Sequence, residues 1–194
     1  MIVFSNRQRH DDKPFEDYLK LPGYSHSFLK NENNGFSSPI TMSDKIKLGS
    51  LVDAILTQPN EVDIYSPLLK DAERIAKEII GKFGSLISGF ESQISLTADM
   101  TFNGITMPGK FRLDWGVKDI AVIDLKITGA SKIAPLIKHM GYDNQLFGYQ
   151  GAYNVQNGFI MAYSTSKRFC ELIHVPTNNG DFWKEKILKF GRVK

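Results

Sequence analysis

Two stretches decide how this chain is read: Gly109-Lys-Phe-Arg-Leu-Asp114-Trp115 and, beyond the polar residues around Asp119, Ile120-Ala-Val-Ile-Asp124-Leu-Lys126. Side chains alternate between faces along a strand. The first stretch therefore places Phe111, Leu113 and Trp115 on one face and Arg112 and Asp114 on the other. In the second, Asp124 and Lys126 share a face, with Ile123 and Leu125 opposite. A connection of about five residues centred on Asp119 sets Asp114 across from Asp124. Like charges facing each other across a strand pair destabilise it unless something neutralises them. A divalent cation is the natural neutraliser, because carboxylates and a backbone carbonyl are the hard oxygen ligands magnesium prefers. Lys126 lies about 7 Å further along the same face, where it could orient or deprotonate a metal-bound water or stabilise developing negative charge. By itself an Asp-x-Lys pair on a strand reads as a surface ion pair; the apolar Val122, Ile123 and Leu125 argue against an exposed strand.

Working outward, Ile94, Leu96 and Ala98 alternate with Ser95 and Thr97, the period-two pattern of a strand. Asn103-Gly104 is a hairpin signal leading into the next strand. Downstream, the pattern predicts a helix over 142–156 and strands over 159–163 and 169–175. A closing helix over 180–190 carries Phe182, Ile187 and Leu188. Upstream, the first third reads as helical segments broken by turns. Pro22-Gly23 marks a turn, Ser25 or Ser27 caps a short helix, and 31–39 is a loop by composition. Ser43 caps a helix with Ile46, Leu48, Leu51, Val52, Ile55 and Leu56 at helical spacing. A second amphipathic helix over 67–86 has Ile75, Ile79, Ile80 and Phe83 on one side. The expected architecture is α/β (α+β), a single domain over 1–194 with a mixed sheet, a strand meander and flanking helices.

The 194 residues suffice for a core without staples. Cys170, the sole cysteine, excludes an internal disulfide framework and a four-thiolate cluster. No apolar run approaches a membrane span, and the polar start predicts a cytoplasmic protein. A net charge of +3 and a pI near 8.8 are compatible with a polyanionic partner. The last stretch, with Lys184, Lys186, Lys189, Arg192 and Lys194, reads as a solvated helix face or a phosphate-tracking surface. His10, His26, His139 and His174 show no ligand spacing.

The pattern Gly109 to Asp114, nine residues, then Asp124-Leu-Lys126-Ile-Thr128 resembles the core of the PD-(D/E)XK nucleases, and in particular the RecE, lambda-exonuclease and RecB-nuclease branch. Three further segments agree in order. Leu21-Pro-Gly-Tyr-Ser25-His-Ser27, followed by Ser38-Pro39, is similar to that branch's serine-containing element. Leu48-Gly49 to Asp53 resembles a helix that carries a metal-binding histidine. Tyr142 to Tyr149, with Gln145 four residues before Tyr149, resembles its Gln-x-x-x-Tyr helix. The match spans about residues 17–190.

The resemblance implies a restriction-endonuclease-like core and a Mg2+-dependent DNA exonuclease, Mn2+ substituting, with Asp114, Asp124, Lys126, Gln145 and Tyr149 in the catalytic set. It implies metal ligands at Asp114, Asp124 and the Leu125 carbonyl. Glu91 is similar to an acidic residue that some members use. Asp53 stands where the family has histidine, and is either an oxygen ligand or a helix-surface residue. Arg112, Thr128, Gln145 and Tyr149 are implied to meet substrate. Phage-type recombination, a single-strand annealing protein as partner and a homo-oligomer follow from the same resemblance. Alternatives are an endonuclease of the same fold and an inactive DNA-binding or assembly module.

Overall fold

In the computed structural model, which describes residues 1–10, 14–31 and 43–193, the chain opens with β1 (Val3–His10), α1 (Phe15–Lys20) and α2 (His26–Asn31). Next come α3 (Asp44–Thr57), a 3-10 turn (Pro59–Glu61) and α4 (Leu69–Ile87). A meander follows: β2 (Glu91–Phe102), β3 (Ile105–Val117) and β4 (Ala121–Thr128). The chain then crosses through α5 (Ala134–His139) and α6 (Tyr142–Tyr153) to β5 (Asn157–Ser164) and β6 (Phe169–Val175). It closes with α7 (Asp181–Phe190) and the short β7 (Arg192–Val193). The sheet has seven strands in the order β1-β2-β3-β4-β5-β6, with β7 paired to β3. All neighbours are antiparallel except β4 and β5. The mixed sheet flanked by helices is the architecture predicted.

Asn103 and Gly104 take φ of 50° and 75°, the left-handed pair that a two-residue hairpin turn requires. That turn fixes the β2–β3 register from Phe102↔Ile105 back to Glu91↔Gly116. Asp119, at φ 62°, centres a connection shorter than predicted, since β3 ends at Val117 and β4 starts at Ala121. Gly23 lets the chain pass over β3: a Cβ there would lie 2.9 Å from the Gly109 carbonyl carbon, while the Tyr24 amide donates to the Pro108 carbonyl at 3.0 Å and the Tyr24 carbonyl accepts from the Lys110 amide at 3.1 Å. Ser25 is the cap of α2, its Oγ accepting from the Phe28 amide at 3.2 Å.

Two cores lie on opposite sides of the sheet. One gathers Ile94, Leu96, Phe111 and Leu113 under α6 and α7, with Leu146, Tyr149, Trp183 and Ile187. The other packs Val52, Ile75 and Ile79 of α3 and α4 against Trp115, Ile123 and Leu125. Three expectations are corrected here. Trp115 does not share a face with Phe111 and Leu113; it sits in the second core, so the alternation of β3 breaks at Asp114. The first third is not wholly helical, because β1 pairs with β2 as an edge strand. Ile46, Ile80 and Leu188, placed on apolar stripes, are about half exposed. The predicted loop over 31–39, apart from Asn31 at the end of α2, and the Ser38-Pro39 pair lie outside the described residues, as does Lys194.

Helix α6 approaches the sheet closely because of glycine. A Cβ on Gly148 would lie 2.7 Å from Trp183 and 2.9 Å from Phe111, and one on Gly151 would lie 2.2 Å from Phe4. Trp183 is further held by its indole N–H donating to the Asn144 carbonyl at 2.6 Å. Both rings facing Gly148 are fully buried, so neither can yield without disturbing the core. Gly148→Ala is expected to destabilise the fold by about 1–3 kcal/mol through overpacking, measurable as a lowered urea midpoint with an unchanged slope.

Candidate active site

The site begins where the sheet opens. The β3–β4 ladder runs from Val117↔Ala121 to Trp115↔Ile123 and stops, although β4 remains paired to β5 along its whole length. The next step of that register would set Asp114 against Asp124, as predicted. Instead the Asp114 carboxylate enters the gap, and its Oδ2 accepts the Leu125 N–H at 2.6 Å. A side-chain oxygen thus takes the place of a backbone carbonyl, which satisfies the amide and draws two carboxylates together at the mouth of the gap.

A cavity of about 340 Å³ lies over this gap, lined by Asp53, Asp114, Asp124, Lys126, Gln145 and Tyr149, with Leu125 and the start of α3 completing its wall. Asp124 is buried and Lys126 only partly so; their Oδ2 and Nζ are 2.5 Å apart. From α6, Gln145 Nε2 donates to Asp124 Oδ1 at 3.3 Å and to the Tyr149 hydroxyl oxygen at 2.6 Å. The four-residue spacing puts both on one helical face, and the glycine-dependent packing of α6 holds that face against β4. The Lys126 ammonium also lies 4.9 Å from the Tyr142 ring centroid.

Asp53 is anchored by Gln93, whose Nε2 donates to both carboxylate oxygens (3.2 and 3.1 Å) and to Thr57 Oγ1 at 2.9 Å. The Gln93 Oε1 accepts from Arg112 Nε at 2.6 Å, and Arg112 Nη2 donates to Gln58 at 3.1 Å. Gln93 has φ 53° inside a strand, a sparsely populated conformation for a residue with a side chain. Its position is the one skipped in the β2–β3 ladder, opposite Asp114. Nothing in residue type marks Gln93 in the sequence; counting back from the Asn103-Gly104 turn does place it across from Asp114.

Other candidates stand elsewhere. Glu91 is ion-paired with Arg9 and does not line the cavity. Thr128 Oγ1 accepts from the Ala130 amide at 3.1 Å, and its carbonyl accepts from Thr165, so it finishes the strand. Arg112 does not face the gap beside Asp124; it lines an adjoining cavity together with Asp53 and Asp114. In α7, Lys186 is buried, not solvated, while Lys184 pairs with Asp181.

The electrostatics follow from crowding like charges in a low-dielectric gap. Burial, then Asp53 and Asp124, push Asp114 well above the carboxylate range. Burial raises Asp124 despite Lys126. Burial lifts Asp53 to about 6, against the pull of Gln93 and Arg112. For Lys126, burial opposes the charge, but Asp124 and Asp114 outweigh it and raise the pKa. Among the described residues no group of three His, Cys, Asp or Glu side chains stands assembled as a metal cage; the carboxylates are held by Leu125, Gln145, Lys126 and Gln93. The donor set nonetheless fits a hard divalent cation: three carboxylates, mutually repelling, around one cavity.

A carboxyl whose folded pKa exceeds its unfolded value takes up a proton on folding. Its contribution to stability is greatest below the unfolded value and is lost as pH rises through the folded one. For Asp53 that window runs from the ordinary 3.8 to about 6. Across it, Asp53→Asn is expected to gain stability relative to the parent protein, with thermal unfolding in EDTA at stepped pH as the measurement. Melting curves that shift in parallel would refute the burial effect.

Comparison with protein-family models and with curated protein sequences finds no match. Among solved structures, the chain is similar to a candidate exonuclease from Eubacterium rectale, with a TM-score of 0.57 and 21% identity over 89% of this chain and 71% of that one. SSO0001 is also similar, at a TM-score of 0.43 and 17% identity over 93% of this chain and 88% of that one. The first of these likenesses establishes a shared fold.

Proposed function

We propose that the protein is a divalent-metal-dependent deoxyribonuclease that hydrolyses phosphodiester bonds, acting as an exonuclease at DNA ends. The observation that carries this reading is the convergence of Asp53, Asp114, Asp124 and Lys126 on one cavity at the opening between β3 and β4. The fold shared with a candidate exonuclease supports it, as does the resemblance of the Asp114, Asp124 and Lys126 pattern to the PD-(D/E)XK core. DNA is the substrate in this reading; phage-type recombination, an annealing partner and a homo-oligomer come from the resemblance alone.

The residues that would hold Mg2+, or Mn2+ in its place, are Asp114, Asp124 and the Leu125 carbonyl, with Asp53 as the oxygen donor on α3. Bound there, the cation supplies Lewis-acid polarisation of the phosphate and a water of lowered pKa. The chain's own residues do the rest. Lys126, paired with Asp124 beside the carboxylates, would orient the attacking water or stabilise negative charge on the phosphoryl oxygens. Gln145 fixes the orientation of Asp124 and ties it to Tyr149. Tyr149 is buried, and burial, then Asp124 and Asp114, push its hydroxyl well above the usual range, so it enters as a neutral group. Arg112 and Gln93 keep Asp53 turned toward the cavity edge.

A second reading, a binding module without hydrolytic activity, is favoured by the Lys126–Asp124 ion pair, which engages one oxygen of a required ligand. Incubating the protein with linear duplex DNA and Mg2+, with EDTA as control, separates the two. Asp124→Asn and Lys126→Met are each expected to lower the cleavage rate by about 100-fold or more while the protein stays folded. A Lys126→Met protein with full activity would remove the assigned role of the amine. Closed circular DNA left intact beside degraded linear DNA supports the exonuclease mode; nicking of circles supports an endonuclease.

A further inference from the structure

Beside the carboxylate gap, a second cavity of about 260 Å³ is lined by Phe15, Tyr18, Lys110, Arg112, Asp53 and Asp114, among others. Its rim carries an aromatic pair, Phe15 and Tyr18, that the hydrolytic reading does not use. Phe15 and Tyr18 of α1 are stacked, with ring centroids 6.0 Å apart and planes 28° from parallel. The Arg112 guanidinium carbon lies 5.4 Å from the Phe15 centroid and 5.9 Å from that of Tyr18. The Lys110 ammonium lies 5.6 Å from the Tyr18 centroid and is fixed by the Leu19 and Leu21 carbonyls at 2.7 and 3.2 Å. Tyr18 is buried, yet Phe15 and Leu19 are each 53% exposed. A large aromatic side chain left open at the rim of a polar, cation-bearing cavity gains nothing for the fold by its exposure.

We propose that Phe15, stacked on Tyr18 and backed by Arg112, is a platform for one unpaired nucleobase of the strand that enters the carboxylate gap. The ligand class rests on the nuclease reading above. A flat π-face backed by a cation is what nucleobases stack on, and Lys110 at the same rim matches the charge of an adjoining phosphate. In a duplex both faces of every interior base are covered by its neighbours, and a terminal base offers one face only. The platform therefore selects a single-stranded or frayed terminus.

The test measures binding in EDTA, where cleavage is absent. The probe is an oligonucleotide of about ten nucleotides with 2-aminopurine beside one terminus, presented single-stranded and as a duplex. The parent protein should quench the single strand, and Phe15→Ala should bind it about tenfold more weakly. Phe15→Trp should restore binding, and an abasic residue at the probe position should abolish the difference between Phe15 and Ala. Phe15 is half exposed, so equal melting temperatures should confirm an intact fold. Absence of quenching, equal affinity of parent and Phe15→Ala, or an equal loss on the abasic strand would overturn the platform. A parent protein that quenches the probe yet never cleaves with Mg2+ sinks the nuclease reading alone; one that cleaves without quenching sinks the platform alone.

Discussion

The structure turns on one substitution of roles: the Asp114 carboxylate stands where a backbone carbonyl of β3 would otherwise meet the Leu125 amide. A buried amide without a partner is costly, and so is a buried carboxylate without a donor. Each resolves the other's need. The same contact holds the acid beside Asp124 and stops the two strands from zipping shut. What it leaves unresolved is repulsion. Asp53, Asp114 and Asp124 all have pKa values raised by burial, and Lys126 offsets only part of the negative charge. Crowding three acidic groups in one buried gap raises the cost of ionising any one of them.

The supports of the gap come from both layers of helices. On the α6 side, the glycines at 148 and 151 admit Trp183, Phe111 and Phe4 to the helix backbone, and this brings Gln145 within reach of Asp124. On the α3 side, Gln93 reaches across from β2 to Asp53 and Arg112. Farther along, β5 is tied to α4: the buried Tyr163 donates its hydroxyl to Glu78 at 2.5 Å, and Arg74 and Arg168 flank that carboxylate at 3.2 and 3.0 Å. Asp71 pairs with Arg74 as well, at 3.3 Å, so this second cluster sets two cations against two anions.

Much of this was legible in the sequence because turn chemistry propagates register. Asn103-Gly104 fixes where every residue of β2 meets β3, and Asp119 centres the next reversal, so the opposition of Asp114 and Asp124 could be counted out. The helical spacing of Gln145 and Tyr149 likewise put them on one face. The face of Trp115 could not be read, because alternation assumes an unbroken ladder and the ladder fails at Asp114 itself. β1 carries no strand signal because Val3 to His10 is mostly polar, with a register shift between Ser5 and Gln8 and a left-handed Asn6; an edge strand needs little apolar character. The hydrogen bonds of Gln93 depend on a backbone conformation that no residue type at position 93 announces. The glutamate at 91 and the threonine at 128 matched a motif yet were claimed by local partners, Arg9 and the Ala130 amide.

The change of face along β3 has a mechanical consequence. Leu113 belongs to the layer under α6 and Trp115 to the layer over α3 and α4, so one strand is stitched into both hydrophobic interiors within three residues. Neither layer can come apart without pulling on the other's anchor. The residue between them, Asp114, lies where the two interiors meet, and melting should proceed as one event that dismantles the gap and the scaffold together.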